Sequence, residues 1–239
     1  MINEKKVKYK DIGEILYRRN TKARNLAIRI NTDGLVKVTV PGRCSFHRAE
    51  AFVLDKKEWI SKKTHYLKRR KEENLAWQPG DLIRMRNGYI RIIGGETEEF
   101  AAKRVNGGYE LALPGNFDAG DAEQSALLHD HIAAIGLKEA KEQLPGVLKG
   151  YAERFRLPYR KVSVRRMRTR WGSCSAQNNI SLNSSLVFLP EHLVEYICLH
   201  ELIHTVHKDH SRRFWGALVR ILPDAMQRRR ELRETSIIA

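Results

Sequence analysis

The sequence predicts an α+β protein on three observations: alternating strand patterns near the start, one long helical pattern inserted among them, and a helix-rich remainder. We expect a β-rich N-terminal region over residues 1–117, with an inserted amphipathic helix at about 46–72, and a second domain over residues 118–239. In the first region Leu26, Ile28 and Ile30 alternate with polar residues, Asp33 and Gly34 supply a tight turn, and Val36, Val38 and Val40 alternate on the return to Pro41. Phe52, Trp59 and Tyr66 then recur at heptad spacing, with Val53, Ile60 and Leu67 beside them. That pattern predicts a helix with its aromatics inward and its lysines, Lys56, Lys57, Lys62, Lys63, Lys68 and Lys71, in solvent. Asn87-Gly88 and Asn106-Gly107 mark two more hairpin turns. The Pro114-Gly115-Asn116 stretch through Gly120 marks the boundary.

Beyond the boundary the pattern predicts helical segments broken at Pro145-Gly146, with Val147, Leu148, Tyr151, Ala152 and Phe155 forming an apolar stripe. His129 and His131 face apart on the first segment and do not read as ligands. Val162 and Val164 begin an extended run to Trp171, residues 172–179 turn, and Ile180, Leu182 and Ser184 return, which predicts a hairpin. No internal repeat is visible.

Composition narrows the class of protein. A chain of 239 residues with 42% hydrophobic content can build a substantial core. The N-terminus has no apolar run after its charges, and no stretch approaches the ~20 apolar residues that span a bilayer, so we expect no secretory signal and no membrane partner. Cys44, Cys174 and Cys198 form no CxxC pair, which fits a cytoplasmic location. Lys plus Arg number 44 against 28 acidic residues, a net charge of +16. Such an excess favours polyanions, including non-specific nucleic acid, nucleotides or acidic protein surfaces, without implying sequence recognition.

The most informative segment is His200-Glu201-Leu202-Ile203-His204, with His210 following. On a helix His200 and His204 stand one turn apart on one face, while Glu201 is rotated toward a metal-bound water rather than the metal. Leu193, Val194, Tyr196, Ile197, Cys198, Leu199, Leu202, Ile203 and Val206 make this helix apolar on most sides, so it is a buried one. Histidines and a carboxylate there are costly unless something pairs with them. A straight helix would carry His207 ~10 Å along the axis from His200. A chain that turns near His207 brings His210 in instead, and His207 becomes a turn residue. Three histidines and one vacant position meet the demand of a catalytic zinc, Zn2+, with Glu201 as general base.

The stretch HELIHTVHKDHSRRFW (His200 to Trp215), with RWGSCS (Arg170 to Ser175) and ISLN (Ile180 to Asn183), resembles the YgjP-like metallopeptidases, relatives of the SprT and WLM groups of small zincins. The resemblance is close over the C-terminal half and looser before it. It implies a minimal zincin-like metallohydrolase domain over residues 118–239, with His200, His204 and His210 as zinc ligands and Glu201 as base. It also implies an antiparallel edge strand beside the metal helix, where a peptide can add as a further strand. Alternation puts Arg168 and Arg170 on one side of their strand, so with Trp171 and Asn183 they are candidate substrate-binding residues, although Trp171 reads better as a core anchor. The substrate expected is a peptide or protein. Alternatives are an anionic nucleotide, with hydrolysis of a nucleoside triphosphate's phosphoanhydride at the same centre, and a nucleic-acid-associated protease of the SprT/WLM kind.

Overall fold

The computed structural model describes residues 3–31, 34–74 and 77–235, with backbone alone over 66–74. The chain divides into two compact units, Met1–Ala76 and Trp77–Ala239.

The first unit is a four-stranded sheet with two helices. Strands β1 (Glu4–Tyr9) and β2 (Gly13–Asn20) pair antiparallel, as do β3 (Ala27–Ile30) and β4 (Val36–Pro41), and β2 runs parallel to β4. Val36, Val38 and Val40 are buried in register, as their alternation requires. Asp33 of the expected turn lies outside the described residues. The expected helix over 46–72 is two: α1 (Phe46–Asp55), whose N-cap Ser45 accepts from the Arg48 amide, and α2 (Lys57–Asn74). Lys56 leaves helical angles between them. Val53 and Ile60 are fully buried, whereas Trp59 is 49% exposed. The inward stripe therefore runs through the aliphatic residues, one position round the helix from the aromatics. The side chains of Tyr66, Leu67 and Lys68 to Lys71 lie outside the described residues.

The second unit opens with a sheet of the same connectivity, which the sequence does not reveal as a repeat. Strands β5 (Leu82–Met85) and β6 (Gly88–Gly94) form one hairpin, β7 (Ala101–Val105) and β8 (Gly108–Leu113) another, and β6 pairs parallel with β8. Gly107 at φ +83° sits in the expected Asn106-Gly107 turn, whereas the first turn is Arg86-Asn87, one residue earlier than expected, and Gly88 at φ +143° opens β6. Helix α3 (Ala122–Phe155) follows, capped by Asp121, whose Oδ1 accepts from the Glu123 and Gln124 amides. Pro145 lies inside it without ending it, contrary to the expected break. Proline removes one hydrogen bond from the ladder. Burial outweighs that loss on both sides: Leu128, Ile132 and Ile135 pack on β5–β8, and Leu144, Leu148 and Ala152 in the next core. The same packing explains why the compact units divide between Ala76 and Trp77 rather than at 117/118, since β5–β8 share their core with α3.

A small three-stranded sheet, order β10-β11-β9, comes next. Strands β10 (Gly172–Cys174) and β11 (Asn179–Asn183) are antiparallel. Strand β9 (Lys161–Arg165) pairs parallel with β11, so the expected long hairpin is replaced by a short one, and residues 166–171 form a loop rather than a strand. The chain then passes through a 3-10 turn (Ser184–Phe188) into α4 (Glu191–Ile203), α5 (Arg212–Ile221) and α6 (Ala225–Glu234). Among the described residues no helix is long and apolar enough to cross a membrane.

Candidate metal centre

Helix α4 sets the site. Pro190 occupies its N-cap, where the Leu193 and Val194 amides bond its carbonyl and a missing proline N–H costs nothing. Nine of its residues are buried, Cys198 among them as a packing thiol. The helix stops at Ile203, and the Val206 and His207 amides turn back onto the Ile203 carbonyl. That tight stop lets residues 205–211 fold back and bring in His210. The Nε2 atoms of His200 and His210 lie 3.0 Å apart, and those of His204 and His210 3.2 Å apart. His207 contributes its carbonyl, which accepts a 2.9 Å hydrogen bond from His204 Nδ1–H. With its proton on Nδ1, His204 presents a bare Nε2 to the cluster.

These three rings fit a divalent cation. Two nitrogens each ~2.05 Å from a tetrahedral zinc stand ~3.3 Å apart, close to the spacing seen. Bare imidazole nitrogens at that separation repel one another, and one shared proton cannot satisfy all three. Burial, then the neighbouring histidines, lowers the His200 pKa to about 3, and burial lowers that of His204, so both rings are neutral and ready to ligate. Among the described residues His200 Nδ1 is buried without a hydrogen-bond partner. Beneath the cluster lies Phe214, fully buried, with its centroid 4.8, 4.4 and 4.8 Å from the rings of His200, His204 and His210. Trp215 stacks on His210 at 5.7 Å. Sequence periodicity places both aromatics on α5 but does not single out their contact with the histidines.

Glu201 points from α4 to the other side, toward β10, and is 6% exposed. Burial raises its carboxyl pKa to about 8 against the opposing charge of Arg170. A Cβ on Gly172 would meet Glu201 Cγ at 2.7 Å and Oε1 at 2.8 Å, so this strand position must be glycine for the carboxylate to fit. Gly172 is a site residue the sequence does not mark, because it reads there as a turn.

Strand β10 is the edge of its sheet. The Asn183 amide bonds the Trp171 carbonyl and the Ser175 amide bonds the Asn179 carbonyl, so alternation turns the N–H and C=O of Gly172 and Cys174 away from β11. Of the candidate substrate residues, Arg170 is exposed near Glu201, Arg168 is exposed, and Trp171 packs against the core. Asn183 is fully buried, its Nδ2 donating to the Met167 and Arg170 carbonyls and its Oδ1 accepting from the Ser185 amide. It holds the 166–171 loop in place.

Lys208 ties the His210 loop to the β10–β11 turn. Its ammonium donates to the Ser175 carbonyl at 3.0 Å and to Asn178 Oδ1. Lys208→Met is expected to release metal to a chelator several-fold faster than the parent protein, read by stopped-flow with a chromogenic chelator. An unchanged rate would show that the loop holds His210 without this tether.

Three imidazole nitrogens that could hold a metal ion meet beside a buried carboxylate within an α+β domain, an arrangement that suits a metal-dependent hydrolase. The chain matches the family model described as YgjP-like, metallopeptidase domain, over residues 24–235, and it belongs to that family. Comparison with curated proteins returns no match. Membership makes the protein a hydrolase of the metallopeptidase class, with a peptide or protein as the substrate that class implies and a metal ion as its cofactor.

Proposed function

We propose that the protein is a zinc-dependent peptidase in which His200, His204 and His210 hold the ion and Glu201 is the general base. The observation that carries this reading is the convergence of three Nε2 atoms, 3.0 and 3.2 Å between neighbours, beside the helix residue Glu201, a buried carboxylate next to His200 in the chain. Imidazole ligands and three-coordinate protein binding suit zinc. Zinc, when held there, supplies Lewis acidity, acidifying water to a pKa of about 7 and polarising a carbonyl.

The remaining work falls to the chain. Gly172 and Cys174 offer their outward N–H and C=O groups to an extended peptide, which pairs with β10 as an added strand. That pairing sets the scissile carbonyl beside Glu201, which lies against Gly172. Glu201 takes the proton of the attacking water at a carboxylate oxygen and passes it to the departing amine. Phe214 and the apolar flank of α4 cover the buried side of the ring cluster and leave His210 facing solvent. Arg170 holds a positive charge near Glu201 and favours its ionised form.

The test is metal dependence resolved by residue. Hydrolysis of an unfolded protein substrate should stop on chelation and return with one equivalent of zinc. His204→Ala should lose both the metal and turnover. Hydrolysis that persists in His204→Ala would contradict the proposed ligand set.

A further inference from the structure

Two adjacent arginines on α6 do different jobs. Arg228 anchors the helix: its Nη1 donates to the His192 carbonyl at 2.8 Å and to Glu195 at 2.6 Å, and its Nε to Asp224 at 2.9 Å. Both α4 contacts lie upstream of the histidine motif, so α6 is fixed relative to the metal centre. Arg229 takes part in no such network. Its guanidinium carbon stands 4.6 Å from the centroid of the Trp215 ring, with no ion pair among the described residues. Trp215 in turn stacks on His210 and lies 6.1 Å from His200. Arg233 follows one turn later, and the charges of both Arg229 and Arg233 act on Tyr196, whose ring is 5.7 Å from that of His200.

A guanidinium stacked on an aromatic face keeps its N–H edge available, and that edge matches the two oxygens of a carboxylate. Because Arg228 holds the helix and Trp215 holds the side chain, little freedom is lost when an anion arrives. The net charge of +16 favours acidic partners over basic ones. One stacked fork fits a planar two-oxygen group. A triphosphate calls for several donors on one point, and on the same face of α6 the following guanidinium, Arg233, is a helical turn away. We infer that Arg229, seated on Trp215, forms a carboxylate-binding subsite beside the metal centre and selects peptides with an Asp or Glu near the scissile bond. This rests on the peptidase reading above and adds its substrate preference.

The test uses the full-length, zinc-loaded protein and paired probes. Two fluorogenic peptides, identical except for Glu or Lys next to the scissile bond, are compared by kcat/KM. Two matching peptide hydroxamates and one nucleoside triphosphate are compared by calorimetric binding. The wild-type protein should favour the Glu peptide and the Glu hydroxamate. Arg229→Gln should reduce that discrimination by roughly tenfold or more, through KM and Kd rather than kcat, with zinc content unchanged. Arg229→Glu should reverse it toward Lys, a result that general damage to the fold would not produce. Equal Glu-to-Lys ratios in wild type and both variants would overturn the inference. So would triphosphate binding lost in Arg229→Gln while the hydroxamates bind as before. Absence of cleavage of either peptide, with the Glu hydroxamate still preferred through Arg229, would count against the peptidase reading and leave the subsite supported.

Discussion

Glu201→Gln should lower turnover between about a hundredfold and ten-thousandfold while leaving one metal ion per chain. The amide keeps the shape of the carboxylate but cannot accept the proton, and it is not among the three rings that converge. The same substitution should stabilise the metal-free protein in a pH-dependent way. Burial raises the Glu201 pKa from 4.5 to about 8, so the folded chain holds this proton more tightly than the unfolded chain. Its favourable contribution is complete below pH 4.5, falls as pH rises, and is gone once pH passes about 8. Glutamine carries no such dependence. The Tm of chelator-treated Glu201→Gln should therefore exceed that of the parent by several degrees at pH 8, and the two should converge near pH 4.5. A variant that loses its metal, or one no more stable than the parent at pH 8, would count against the assigned role and environment of this carboxylate.

Gly172→Ala should have the second-largest effect. The added methyl would sit 2.7 Å from Glu201 Cγ and 2.8 Å from its Oε1, with Cδ at 3.0 Å. Atoms do not approach that closely, so either the strand or the carboxylate must move. Displacing a reacting group by about an ångström costs on the order of a hundredfold in rate, and overpacking costs about 1–3 kcal/mol of stability. We expect both losses, with kcat carrying more of the kinetic change than KM. Shortening the opposing side chain should relieve the clash, so Gly172→Ala should destabilise a Glu201→Asp background much less than the parent. Equal destabilisation in the two backgrounds, measured by denaturant titration, would show that the methyl is accommodated elsewhere.

How much of this was legible in the sequence follows from the range of the interactions involved. The juxtaposition of His200 and His204 is helix geometry, and the turn that brings in His210 follows because a straight helix cannot carry a third ring to the same point. The antiparallel pairs β3–β4, β5–β6 and β7–β8 are local too, marked by alternation and by asparagine or glycine at their turns. Long-range choices are different. Nothing local states that β9 will pair parallel with β11, and that pairing leaves 166–171 as a loop. Once Asn183 takes the Met167 and Arg170 carbonyls, Arg168 and Arg170 no longer follow strand alternation. Pro145 signals a break that packing on both sides of α3 overrides. The demand for glycine at position 172 exists only because Glu201, 29 positions later in the chain, lies against it.

X-ray absorption at the zinc edge of the metal-replete protein addresses the central claim most directly. The account predicts one ion per chain with three nitrogen neighbours at about 2.0–2.1 Å, a single light-atom neighbour from solvent, and no sulfur. A shell containing sulfur at about 2.3 Å, or four protein ligands, would contradict an open hydrolytic centre built on His200, His204 and His210.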